Sequence, residues 1–276
     1  MAIDVQTAQE KESSQGKLIP FDWGRIPWWV VMLLIIGLVI VIATRLSQGA
    51  EQFQVTVERY WEVLVFVFDG LKLTLQVTAI SFGISLVIGL IFGLMRVSKN
   101  PIFYSLSTLY VEVMRGLPLL VTVLYMGFVI TPWLRNITNG AIDLRGLPAA
   151  ILGIALCYGA YLAEVYRGGI QSIEHGQMEA ARSLGMNYLE AMRYVILPQA
   201  IRRILPPLGN DFIAMLKDSS QIAVLAYPEL LQMGRLYVSR TFRAFEGYNT
   251  VALLYLLMTL VLSLIVRIIE RKVAIE

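Results

Sequence analysis

Four ionisable residues fall inside long apolar runs, Glu112 and Arg115 in one and Lys217 and Asp218 in another. A charged side chain in hydrocarbon costs roughly 2.5 to 3.5 kcal/mol on insertion scales, so each needs a partner or a wet cavity. Two outcomes are open. Glu112 can pair with Arg115 one helical turn away, and Lys217 with Asp218 or a backbone carbonyl. Alternatively the four line a polar path, together with Asn210, Ser219, Ser220 and Gln221. Thr74, Thr78, Ser81, Tyr125, Tyr158 and Tyr161 add uncharged groups able to change partners cheaply, although most hydroxyls in spans bond their own helix. Glu164 and Arg167 close a further apolar run, as a terminal salt bridge or as a latch. His175, the only histidine, has no second histidine or cysteine beside it, so no metal site is expected. Covalent and hydrolytic chemistry lack their parts. Gly16-Lys17 has no glycine five positions before Gly16, as a phosphate loop requires, and there is neither a nucleophile elbow nor a pair of catalytic histidines. No catalytic residue is expected, and the chain does not read as an enzyme.

Positioning such groups falls to helices in a bilayer. Hydrophobic residues make up 57% of the 276, against about 45 to 50% in soluble domains, and they are gathered into long blocks. A hydrocarbon core of about 30 Å takes roughly 20 apolar residues of helix. Six runs meet that length: Trp28 to Leu46, Val65 to Val97, Tyr104 to Pro132, Leu147 to Arg167, Ile204 to Tyr227 and Tyr248 to Ile269. An all-α membrane protein follows. The first run has more than twenty polar residues before it and no small-residue cleavage site, so it reads as an uncleaved helix. The lone Cys157 excludes an intramolecular disulfide and reads as a packing residue. The net charge of +3, without a basic stripe, excludes a nucleic-acid partner. Placing both termini in the cytoplasm gives that side Arg96, Lys99, Arg182, Arg193, Arg202, Arg203 and Arg271 among others, which the positive-inside rule favours.

The long charged segment 168–203 separates the fourth and fifth runs and cannot cross lipid. Gly176 and Gln177 open a short helix in which Met178, Ala181 and Leu184 repeat at helical spacing. Gly185 should end it with a left-handed cap. Tyr188, Met192 and Val195 then mark one face of a second helix, which Pro198 should stop. A helical hairpin results, suited either to a groove on a soluble partner or to lying on headgroups.

Residue identity favours the groove. Glu179-Ala180-Ala181, Gly185 after three further residues, and Leu197-Pro198 resemble the EAA loop of ABC importer permeases. The stretch GAYLAEVYRGGIQSIEHGQMEAARSLGMNYLEAMRYVILPQAIRRILPPLGNDFIAML from Gly159 to Leu216 looks like the polar amino acid branch (histidine, glutamine and glutamate permeases), as do Arg115-Gly116-Leu117-Pro118-Leu119-Leu120 and Lys217-Asp218-Ser219-Ser220. The resemblance implies a type I importer permease fold with a five-helix core at 65–271 and its coupling loop at 168–203. Residues 1–27 would form a cytoplasmic N-terminal segment and 28–46 an extra helix. It implies docking of Gly176, Glu179, Ala180, Ala181, Gly185, Leu197 and Pro198 onto ATPase subunits in the bacterial cytoplasmic membrane. It further implies two copies of that ATPase, which carry the ATP and Mg while this chain binds no cofactor. A second permease, identical or homologous, and an extracytoplasmic amino-acid-binding protein complete the set, within membrane lipid. An amino acid's carboxylate would meet Arg115 or Lys217, and its ammonium Glu112 or Asp218. Leu117 for the commoner threonine and Gln221 for the usual leucine depart from the branch. Rival readings are an ABC permease for a compatible solute or opine, an ion-driven secondary transporter, and a membrane scaffold.

Overall fold

A computed structural model describes residues 28–273, with side chains from Gln54 to Lys272. The expected N-terminal segment 1–27 lies outside the described residues. Every described element is a helix. Helix α1 is Trp28–Val97, α2 is Pro101–Gly116, α3 is Leu119–Tyr125 and α4 is Thr131–Ile137, with a π turn at Met126–Ile130 between the last two. Helix α5 is Leu147–Gln171, α6 His175–Ser183 and α7 Tyr188–Ala191; a second π turn, Met192–Ile196, leads into α8, Leu197–Asp218. A 3-10 stretch at Ser219–Leu225, α9 at Leu230–Thr241 and α10 at Ala244–Val273 complete the chain.

The chain divides between Glu58 and Arg59 into two compact units. In the first, residues 28–58 are helical, so helix continues through the link expected after Leu46. The second unit, from Arg59 onward, holds the remaining helices. Among the described residues four stretches are long and apolar enough to cross a membrane: Gln54–Val97, Leu119–Ile137, Leu147–Gln171 and Ala244–Lys272. Two of the six expected runs are revised. The first, Trp28–Leu46, is helical, and most of its side chains lie outside those described. The run Tyr104 to Pro132 is broken at Leu117, whose backbone is extended (φ −95°, ψ 137°) because Pro118 disfavours helix in the residue before it. Glu112 and Arg115 therefore end the short α2. The fifth run starts at Leu197, not Ile204, and becomes a 3-10 helix after Asp218. With Asn210, Asp211, Lys217 and Asp218 it is too polar to face lipid on all sides, and it packs between α5 and α10.

Helix α5 is the hub, packed against α2, α3 and α8. Small residues make this possible. A Cβ on Gly89 of α1 would sit 2.6 Å from Leu162 Cβ, and one on Gly93 would sit 2.9 Å from the Ala163 carbonyl oxygen. Gly89 and Gly93 thus form a G-x-x-x-G face that brings α1 onto α5, the usual means of close approach where lipid removes the hydrophobic drive. Ser81 and Ser85 donate to the Ile151 and Ala155 carbonyls at 3.3 and 3.1 Å, adding about 0.6 kcal/mol each. Cys157 is buried, as its packing role requires.

Inside α8 stand Pro206 and Pro207. They deprive the Arg202 and Arg203 carbonyls of their helical donors. Beyond the 3-10 stretch, the fully buried Glu229 caps α9 by accepting from the Leu231 and Gln232 amides at 2.9 and 2.7 Å, and it also accepts from the Tyr255 hydroxyl at 2.8 Å. One carboxylate so ties the start of α9 to α10. The Thr74 hydroxyl lies 3.5 Å from it and accepts from the Leu230 amide at 3.1 Å, which brings in α1.

Candidate functional site

The hairpin begins where α5 ends. Helix α6 stops at Gly185, whose φ is +86°; its amide donates to the Arg182 carbonyl at 3.0 Å, and Met186 donates to Ala181 at 3.2 Å. This pair of bonds is the Schellman arrangement, which needs a left-handed residue. The next turn starts with a capping box. Asn187 Oδ1 accepts from the Glu190 amide at 2.9 Å, and Glu190 Oε2 accepts from the Asn187 amide at 2.8 Å. Pro198 does not stop the second helix. A π turn absorbs its missing donor, and Pro198 occupies the first turn of α8, where no intrahelical donor is needed. The hairpin therefore runs directly into α8.

One face of the hairpin is anchored. Ile173, Ile196, Ala200 and Ile204 form a buried cluster to which Met178, Met192 and Val195 are added. The Arg203 guanidinium donates to the Ser172 carbonyl, and Gln199 Nε2 donates to Gln177 Oε1 at 3.2 Å. The other face is bare. Leu184 is 81% exposed and Leu189 76%, with Tyr188 and Tyr194 also exposed. Leu184 and Tyr188, expected on the apolar repeats of the two helices, are thus exposed, while Met178 and Met192 pack on the buried cluster. Gly176, Glu179, Ala180, Gly185, Leu197 and Pro198 are exposed, while Ala181 is buried.

Next to the hairpin, at the end of α5, lies a charged cluster drawn from three helices. Arg96 Nε of α1 is 3.0 Å from Glu164 Oε1, and Arg96 Nη2 is 3.5 Å from Glu112 Oε1. Arg167 Nη2 donates to Glu164 Oε2 at 2.7 Å. Glu164 thus serves two cations, and Glu112 pairs with Arg96, not with Arg115. Arg96 is nearly buried and its Nη1 has no partner among the described residues. Arg115 lies over the Tyr161 ring at 5.4 Å, a cation–π distance.

Along α5, one turn before Tyr161, the Tyr158 hydroxyl donates to Asp218 Oδ2 at 2.7 Å. That bond replaces the alternative pairing of Asp218 with Lys217. Asn210 and Lys217, seven residues apart on α8, are both exposed and share a face. Ser219 is buried and donates to the Leu216 carbonyl at 2.8 Å, which gives it a packing role; Ser220 and Gln221 are half-buried. Thr78 bonds the Thr74 carbonyl of its own helix and Ser81 the α5 backbone. The structure therefore gathers Arg115, Tyr158, Tyr161, Glu164 and Asp218 along α5 and leaves Asn210 and Lys217 on an open face of α8. Sequence reasoning missed Arg96 as the partner of Glu164 and Glu112; its place in the last turn of α1 was the available signal. No group of three or more metal-ligating side chains occurs among the described residues.

Residues 85–275 match the family model described as the binding-protein-dependent transport system inner membrane component. The glutamine transport system permease protein of Escherichia coli (strain K12) is 40% identical over 217 residues, covering 78% of this chain and 96% of that protein. The probable glutamine ABC transporter permease protein GlnM of Bacillus subtilis (strain 168) is 38% identical over 204 residues, 74% and 91% of the two chains. Among solved structures, an amino acid ABC transporter crystallised with histidines shares 37% identity, covers 76% of this chain and 95% of that one, and superposes with a TM-score of 0.69. An inward-facing MetNI methionine ABC transporter shares the fold at 22% identity, with coverage of 82% and 100% and a TM-score of 0.57.

Proposed function

Given that the chain belongs to the family of binding-protein-dependent transport system inner membrane components, we propose that it is the permease of an ATP-driven importer of polar amino acids. The observation that carries this reading is the hairpin 174–198, anchored on one face and bare on the other. A bare apolar face carried on a firmly held hairpin suits a groove on a soluble protein. Glutamine transport named for two relatives, and the amino acid transporter of related structure, support the substrate class.

In this reading two ATPase subunits, which hold ATP and Mg, grip the hairpins of two permeases, and an extracytoplasmic binding protein delivers the amino acid. Both termini lie in the cytoplasm, as does the hairpin. Closure of the ATPase pair moves the hairpin. Because α7, the π turn and α8 follow one another without a loop, the motion reaches Lys217 and Asp218 along α8. Differential contact of the hairpin with the two ATPase states supplies the bias that such a transition needs. Between strokes, Glu164 with Arg96 and Arg167 latches the cytoplasmic ends of α1 and α5. Arg115, Asn210, Lys217, Asp218, Ser220 and Gln221 line the solute path.

The test is ATP-dependent uptake of L-glutamine, L-histidine and L-glutamate into proteoliposomes containing the permease, its co-purifying subunits and the binding protein. Uptake of at least one is expected, with ATP hydrolysis coupled to it. Gly185→Pro and Glu179→Lys variants that still insert should lose that coupling; coupling retained in both would sink the docking role.

A further inference from the structure

Two adjoining cavities share Tyr248 in their walls. The larger, about 590 Å³, lies between the 3-10 stretch and α9 and is lined by Gln232, Arg235 and Ser239. These three occupy positions i, i+3 and i+7 and so form one face of α9. The smaller, about 370 Å³, is lined by Lys217, Ser220 and Tyr255. Both volumes fall within the range of small-molecule sites. Arg235 and Lys217 are exposed, and their side chains have no ion pair or hydrogen bond among the described residues. By contrast, Arg59 and Arg243 near the start of α10 have carboxylate partners, Glu246 at 3.7 Å and Glu62 at 3.1 Å. Two unpaired cations, each in the wall of one of two adjoining cavities, are the groups an anionic ligand needs, and a carboxylate accepts charge-assisted bonds from both. Gln232 and Ser239 add acceptors suited to an ammonium.

We infer that the two cavities form an outer vestibule for the free amino acid, in which Arg235 receives the carboxylate and Lys217 takes it over on the way to Asn210. This rests on the reading of the chain as an amino acid importer. Helix α9 then has a solute-selecting face, and Tyr248 borders both clefts. Glu229 serves the vestibule indirectly, because it caps α9 and holds Tyr255.

The test uses the full complex in proteoliposomes. The only native cysteine, Cys157, is buried, so Ser239→Cys and Ser220→Cys each supply one reactive thiol. The rate of modification by a charged methanethiosulfonate is measured alone, with whichever of L-glutamine, L-histidine and L-glutamate is taken up, and with that amino acid amidated at its α-carboxylate. The transported amino acid should slow both reactions by about tenfold at saturation, the amidated form should not, and Arg235→Gln should remove the protection at Ser239→Cys. Equal rates with and without the transported amino acid, equal protection by the amidated form, or no modification of Ser239→Cys because another protein covers it would each overturn the vestibule. ATP-driven uptake is followed in the same vesicles. Uptake without protection removes the vestibule alone, whereas absence of uptake for every amino acid removes the transport reading beneath it.

Discussion

The Tyr158 hydroxyl donates to Asp218 Oδ2 at 2.7 Å and so pins the middle of α5 to the C-terminal end of α8. A hydrogen bond to a charged group contributes about 1.5 to 3 kcal/mol, and here it fixes the one carboxylate next to Lys217. Tyr158→Phe should lower the uptake rate by about tenfold or more while the complex still elutes intact, if that bond is made more strongly in one transport state. Asp218→Asn keeps an oxygen that accepts from Tyr158 and should retain more activity. Equal uptake by wild type and Tyr158→Phe would reduce the bond to packing.

Glu164 holds Arg96 and Arg167 together at the hairpin end of α5. Glu164→Gln leaves the nearly buried Arg96 with only the more distant Glu112, and removing one partner of a buried pair costs up to about 3 to 5 kcal/mol. As a latch, its loss should raise ATP hydrolysis in the absence of solute several-fold and lower the amino acid moved per ATP. A basal ATPase rate equal to wild type would refute the latch.

Gly185 sits at φ +86° with open space where a Cβ would go, so substitution meets a conformational cost and no clash. Gly185→Ala should cost about 1 to 2 kcal/mol of local hairpin stability, and Gly185→Asn less, because asparagine tolerates the left-handed region. Amide exchange of residues 176–190 should speed up in that order, with the transport-to-hydrolysis ratio falling in parallel. No change in exchange for Gly185→Ala would contradict the capping geometry.

The Gly89 and Gly93 face makes a steric prediction. A methyl on Gly93 would stand 2.9 Å from both the Ala163 carbonyl oxygen and Tyr166 Cβ, where backbone cannot yield cheaply. Gly93→Leu should separate α1 from α5 and abolish recovery of folded protein. Gly93→Ala should lower the midpoint of thermal unfolding, by about 1 to 3 kcal/mol of overpacking. Gly168→Ala, which meets nothing within 4 Å, is the control and should behave like wild type.

Glu229 is the most demanding buried polar group. Burial pushes its carboxyl toward the neutral form, against the pull of the donors bonded to it. Glu229→Ala strands the Leu231 and Gln232 amides and the Tyr255 hydroxyl, each worth about 1 to 3 kcal/mol if left unmet. Folded protein should be recovered poorly. Glu229→Gln retains one accepting oxygen and should be recovered well; the reverse order in fluorescence-detected gel filtration would contradict the capping role.

Much of the hairpin was legible because glycine, proline and charge act locally. Gly185 at the end of a 3.6-residue repeat announces its own left-handed cap, and charges between 174 and 203 exclude lipid whatever the fold. Pro198 misled because the remedy for its missing amide, a π turn, leaves no mark in the residues before it. The pairings of Glu112 and Asp218 were hidden for a different reason. Neighbours in sequence were at hand for both, but the partners that won, Arg96 and Tyr158, come from other helices. The Gly89 and Gly93 spacing was readable as a close-packing face, although its partner on α5 was not.

Pro206 and Pro207 stand about two and a half turns beyond the point where the hairpin passes into α8. A rod driven from one end delivers its stroke to the far tip only if it is stiff throughout; a pair of missing rungs converts part of that thrust into a swing. Displacement at the hairpin should therefore reach Lys217 as a change of heading as well as of height, so that a small nudge at one end can turn a charged side chain at the other.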